Sequence, residues 1–171
     1  MKTDNRRMTS GHDGEVVVFL IGLRVNRWWK FWQWLRAAMA MPRMLKELKR
    51  HPELGLLGAD GWFGRTTIMV SYWKSTEHLL AYSKMRNGEH LPAWRAFNKH
   101  IGTNGDVGIW HETYRVPAGN FECVYLNMPA FGLAKATSME EARGHRAGAA
   151  GRLAGKPVPG EADAVAHALA G

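Results

Sequence analysis

The sequence predicts an α+β domain: an open sheet with helices packed on one face. Three observations predict it. Residues 15–23 (EVVVFLIGL) are apolar on both faces, as in a central buried strand. Residues 65–73 (RTTIMVSYW) are rich in β-branched side chains and form the clearest strand signal in the chain. Helix-period stretches follow each of these strands, and two further strand-like runs lie at residues 106–116 and 120–128. The order is therefore β-α-β-β-α-β-β, a ferredoxin-like arrangement with one extra strand.

Each element has its own reason. Residues 1–14 are polar and are expected as an unstructured tail. After the first strand, Asn26 is the expected helix N-cap, and Trp28, Trp32, Leu35 and Met39 recur at helical spacing. Pro42 should end or kink that helix, with residues 43–50 adding a turn or two. Residues 54–62 read as a short strand before the Gly61 and Gly64 turn. Ser75 caps the next helix, and Pro92 sits in the first turn of another that runs to about Lys99. Pro117-Ala118-Gly119 joins the last two strands. The domain should span residues 15–135. Residues 136–171 hold 11 Ala, 6 Gly and no aromatic residue, so they read as a C-terminal tail with a brief helix at 163–169.

Composition narrows the function classes. The chain has 171 residues, 46% of them hydrophobic, with eight Trp and nine Met to place in a core. No apolar run approaches the roughly 20 residues of a membrane span, and the start lacks the apolar region of a secretory signal. The lone Cys123 allows no internal disulfide, which fits a cytoplasmic location. The net charge of +8 lies almost wholly between residues 15 and 135 and is scattered, whereas a nucleic-acid binder gathers its cations on one face. Four Trp within residues 28–34, interleaved with Lys and Arg, leave a membrane-surface contact open. The first strand needs a covering helix, however, which favours Trp rings in the core or at a dimer contact. A sheet with helices on one face needs its other face covered, and a homodimer that stacks two sheets meets that need.

The chemistry-bearing residues are few. His90, in GEHLP, lies at a helix start, and His111 lies mid-strand 21 residues later. An axial haem histidine needs an apolar plate and basic groups for the propionates. Met85, Leu91, Trp94 and Phe97 are candidates for the plate, and Arg86, Arg95 or Lys99 for the charges. A surface histidine near a helix start has the same local sequence, so both readings stay open. His111 reads equally as a working imidazole or as a buried neutral ring bonded to a carbonyl. Alternation puts Ile109, His111 and Thr113 on one strand face and Trp110, Glu112 and Tyr114 on the other, without saying which face meets the helices. Glu112 and Glu122 would face each other across the hairpin as a carboxylate pair or, more commonly, bond to Arg or backbone groups. A pocket between helices and sheet suits a small apolar substrate.

Residues 73–133 resemble the haem-binding half of the aldoxime dehydratases. The likeness rests on the strand end Tyr72-Trp73-Lys74-Ser75, His90 at a helix start, His111-Glu112, the turn at Pro117-Ala118-Gly119, Phe121-Glu122, and Gly132-Leu133. It implies haem b as cofactor, His90 as the proximal iron ligand, and His111 as a distal group assisting proton transfer. Residues 15–133 are also similar to a family of single-domain, monooxygenase-like proteins that includes a fungal enzyme of fumagillin biosynthesis. RWWKFWQWLRAAMAMPRMLKEL, PELGLLGADGW and VGIWHETYRV carry that likeness, which implies the dimeric α+β barrel fold. The region that supplies aldoxime dehydratases with an arginine and a serine near substrate has no counterpart that can be placed here. The leading expectation is a haem oxidoreductase of monooxygenase type. An aldoxime dehydratase-like lyase, a cofactor-independent monooxygenase using Tyr72, Trp73 or His111, and a haem-binding module without turnover stand beside it.

Overall fold

The computed structural model of the chain describes residues 3–86, 88–100 and 102–154. In chain order its elements are β1 (Met8–Ser10), β2 (Val16–Val25), α1 (Phe31–Ala38), α2 (Ala40–Arg50), β3 (Leu56–Trp62), β4 (Ile68–Trp73), α3 (Thr76–Lys84), α4 (His90–His100), β5 (Val107–Val116), α5 (Gly132–Ala136), β6 (Met139–Glu141) and α6 (Ala149–Ala154). They divide into two compact units. One is Val17–Tyr114; the other comprises the described residues of Met1–Val16 and Arg115–Gly171.

The Val17–Tyr114 unit has the predicted ferredoxin-like topology. Its sheet runs β3-β4-β2-β5, with β4 antiparallel to both β2 and β3. Val17 pairs with Trp73, Phe19 with Ser71 and Ile21 with Met69, so these six side chains share one face. That face meets the helices: Val17 and Trp73 form the buried core with Leu48 of α2 and Leu79 and Tyr82 of α3. Gly22 is required by close approach, since a Cβ there would meet the Thr67 carbonyl oxygen at 1.9 Å. Ser75 caps α3 as expected, its hydroxyl accepting from the His78 N–H at 3.4 Å.

The helix after β2 differs from its expectation. Asn26 is not a cap; its side chain donates to the Gly105 carbonyl at 3.1 Å, and α1 starts only at Phe31. Trp28 therefore lies outside the helix, and of the stripe drawn through Trp28, Trp32, Leu35 and Met39 only Leu35 is half-buried while the other three are exposed. Covering the sheet falls to α2, whose Met44 and Leu48 pack on it. The expected break is present: α1 ends at Ala38, whose carbonyl Pro42 cannot bond, and Pro42 sits in the first turn of α2, where its missing N–H costs nothing.

A buried charge joins β2 to β5. The Asp106 side chain is fully buried and accepts from Arg27 Nη1 and Lys30 Nζ, each at 2.7 Å, while its carbonyl accepts from the Asn26 and Arg27 N–H groups. The Lys30 hydrogen bond, then the one from Arg27, holds its pKa below the ordinary carboxylate value despite the burial. A depressed folded pKa means that this contribution to stability is complete above the unfolded value and is lost as pH falls through the folded one. Asp106→Asn should therefore lower the melting temperature at pH 7 and flatten its decline on acidification. Identical acid profiles for the variant and wild type would contradict that role.

The other unit corrects the expected tails. The described parts of the expected tails, residues 3–14 and 136–154, are tied together, because β1 pairs antiparallel with β6, Met8 opposite Glu141 and Ser10 opposite Met139. Residues 120–128 do not form the second strand of a hairpin. Their backbone bonds go to the N-terminal segment instead, with Met8 and Tyr125 exchanging two 2.8 Å bonds and Asp4 N–H donating to Met128 O at 3.1 Å. Glu122 pairs with the Arg152 guanidinium rather than with Glu112. The helix expected at 163–169 lies outside the described residues.

Candidate functional site

Between the sheet and helices α2 and α3 lies an apolar cavity of about 60 Å³. Phe19 and Ile21 of β2 and Met69, Ser71 and Trp73 of β4 form its floor; Met44, Leu45 and Leu48 of α2 and Leu79 and Tyr82 of α3 close it from above, and His90 of α4 closes one side. The floor is fixed by hydrogen bonds: Trp73 Nε1 donates to Ser71 Oγ at 3.0 Å, and Ser71 Oγ donates to the Phe19 carbonyl at 2.9 Å. No water-loving group of the floor is left unpaired.

His90 behaves differently. It is the first residue of α4, half-buried, with its ring 6.2 Å from that of Tyr82, and its Nδ1 is buried without a hydrogen-bond partner among the described residues. An orphaned ring nitrogen on a residue that lines an apolar cavity is a donor or acceptor still to be satisfied. His111 lies on the same sheet face, since its ring is 5.8 Å from that of Phe19, which itself lines the cavity. This answers the question that alternation left open. His111 itself is exposed and stands beside the cavity rather than in its wall.

The remaining predicted residues separate. Trp73 is floor, and Met85 packs on the adjoining core. Tyr72 and Glu112 belong to the opposite sheet face, where Glu112 accepts a 2.6 Å bond from Tyr114 that raises the Tyr114 pKa. Arg86 is exposed, Leu91 does not line the cavity, and Trp94 stacks on Phe97 along α4 at 6.0 Å. None of the plate drawn from Met85, Leu91, Trp94 and Phe97 lines the cavity; Phe19, Met44, Met69 and Trp73 line it instead.

Two residues escaped the sequence reading. Tyr82 Oη donates to Glu47 Oε2 at 2.8 Å, and the same oxygen accepts the Glu89 N–H at 3.0 Å. Burial, and then the Glu47 carboxylate, push the Tyr82 phenol far above its ordinary pKa, so it stays protonated. Glu47 thus ties α2 to the start of α4 beside His90. On its outer side lies a groove of about 400 Å³ lined by Arg43, Lys46, Glu47, Arg50, His51 and Glu89. The spacing of Tyr82 and Leu79 marks a buried helix face, but no local signal pairs Tyr82 with a carboxylate 35 positions away.

Comparison with known proteins adds kinship. The sequence profile described as monooxygenase af470-like matches residues 16–133. Monooxygenase af470 of Aspergillus fumigatus is 32% identical over 127 residues, covering 67% of this chain and 43% of its own length. The chain thus spans less than half of that curated relative. A crystal structure of aldoxime dehydratase (OxdRE) in complex with butyraldoxime superimposes with a TM-score of 0.58 at 15% identity, over 72% of this chain and 37% of that one. That likeness establishes the fold, in agreement with the α+β barrel class implied by the sequence.

Proposed function

This chain belongs to the monooxygenase af470-like family, and from that premise we propose that it is an oxidoreductase of monooxygenase type, acting on a small apolar substrate with haem b as cofactor. The observation that carries the cofactor is the buried, partnerless Nδ1 of His90 on the cavity wall. Leaving such a nitrogen unbonded costs on the order of 1–3 kcal/mol, which a ligand would recover. The donor set also suits haem. No group of three or more His, Cys, Asp or Glu gathers among the described residues, whereas a single imidazole is enough for an iron whose other ligands come from a macrocycle.

His90 would hold the iron, and Arg43, Lys46 and Arg50 at the neighbouring groove are cations suited to the carboxylates. Haem supplies one-electron and oxygen chemistry when bound. The chain's own contribution is to bind, dry and protonate. Phe19, Met69 and Trp73 bind apolar surface and exclude water. His111, on the Phe19 side, gives or takes a proton. Glu47 holds the start of α4, and so His90, in place. The cavity of about 60 Å³ is smaller than the roughly 300–1,000 Å³ of ligand sites, so loading requires one wall to open. The α4 wall is the one to give, because none of its residues is fully buried.

Oxygen uptake tests the reaction class. With a reductant and a panel of small apolar compounds, substrate-dependent uptake should require haem. Equal uptake by haem-free protein would contradict the proposal and place oxygen activation on the substrate itself.

A second copy of the chain is the proposed cover for the other sheet face. Val18, Leu20, Val70 and Tyr72 lie there only half-buried, beside an exposed Tyr114. Sedimentation at micromolar concentration should show a dimer; a monomer alone would remove this assembly.

A further inference from the structure

We propose that the end of the sheet bearing Trp28, Trp29 and Trp32 docks on the surface of an anionic lipid bilayer. These rings are not core: Trp28 is 73% exposed, Trp29 63% and Trp32 74%. Their rings meet other aromatic rings edge to face, with Trp28 and Trp29 centred 6.3 Å apart and Phe31 and Trp32 5.4 Å apart. The turn between β3 and β4 adds Phe63, 87% exposed, at the same sheet end, where Val25 N–H donates to the Arg65 carbonyl at 2.8 Å. Two chain segments joined by that backbone bond thus each present large rings to solvent. Exposing four such rings is costly unless something covers them.

Charge selects the occupant. Residues 24–36, which carry the Trp rings, contain four Lys and Arg and no Asp or Glu. Arg27 and Lys30 flank the rings and together more than neutralise the buried Asp106. The core of a protein–protein contact is depleted in charge. The headgroup layer of a bilayer instead takes Trp rings and cations together, the ring at the acyl boundary and the cation on lipid phosphate. No helix among the described residues is long and apolar enough to cross a membrane, so the contact is with the surface. An apolar substrate would partition into that same layer, but the docking rests on this patch alone and not on the cofactor.

The test is flotation of the full chain with phosphatidylcholine vesicles containing about 30% phosphatidylglycerol, compared with phosphatidylcholine alone. The chain should float with the anionic vesicles and should be released at about 0.5 M salt. Its Trp emission should shift to the blue and be quenched by brominated lipid. The triple variant Trp28→Ala/Trp29→Ala/Trp32→Ala should bind at least about tenfold more weakly, with little change in melting temperature because the side chains are exposed. Brominated-lipid quenching of the wild type needs no variant and keeps the test decisive if the triple variant misfolds. Failure of the wild type to float, or equal binding by the triple variant, would overturn the proposal. So would a wild-type self-association that the triple variant loses while neither binds vesicles, which would assign the patch to a second copy of the chain.

Discussion

Replacing His90 with alanine is expected to empty the haem site, and replacing His111 is not. His90 is the cavity-wall residue with a buried ring nitrogen lacking any partner among the described residues, and removing it removes the proposed iron–nitrogen bond. The Soret band should be lost in His90→Ala, or return only when imidazole is added to fill the gap. His111 stands beside Phe19, exposed and outside the cavity wall, so His111→Ala should keep the band. Its cost should fall on turnover, on the order of 10²–10⁴-fold, the usual share of a positioned proton donor or acceptor. If His111→Ala emptied the site while His90→Ala stayed loaded, the ligand would be on the strand and the assignment reversed.

Trp73→Ala should be the most destabilising single change in the core. The indole is 3% exposed, forms part of the cavity floor and packs 5.8 Å from the Tyr82 ring. Large-to-small changes of this kind cost about 3–5 kcal/mol through lost transfer energy and residual cavity. For a chain of 171 residues that corresponds to a drop of about 10 °C in melting temperature. Ser71 keeps its own bond to the Phe19 carbonyl, so no buried hydroxyl is orphaned and the loss is one of packing. Trp73→Phe should recover most of it. A melting temperature within about 2 °C of wild type for Trp73→Ala would show that the floor is not part of the core.

The contrast between these two residues shows what was legible in the chain. Residues 15–23 and 65–73 declared β2 and β4 through β-branched content, and Ser75 declared the start of α3, because each signal is local. His90 and His111 were legible as residue types at a helix start and in a strand. The direction of either ring was not, since facing depends on which sheet face the helices choose. The Trp stripe misled because helical phase has meaning only inside a helix, and α1 begins after Trp28. The β1–β6 pair was invisible: three residues against three, about 130 positions apart, held by backbone bonds that no side-chain pattern encodes. The same distance argument hid the Tyr82–Glu47 bond, which depends on α2 and α3 having already packed.

The most direct measurement of the central claim is an absorption spectrum of the purified chain during titration with haem, run beside His90→Ala. The account predicts a saturable Soret band in the wild type and its loss in the variant. A wild type that stays colourless, or a band of equal strength in both proteins, would contradict it.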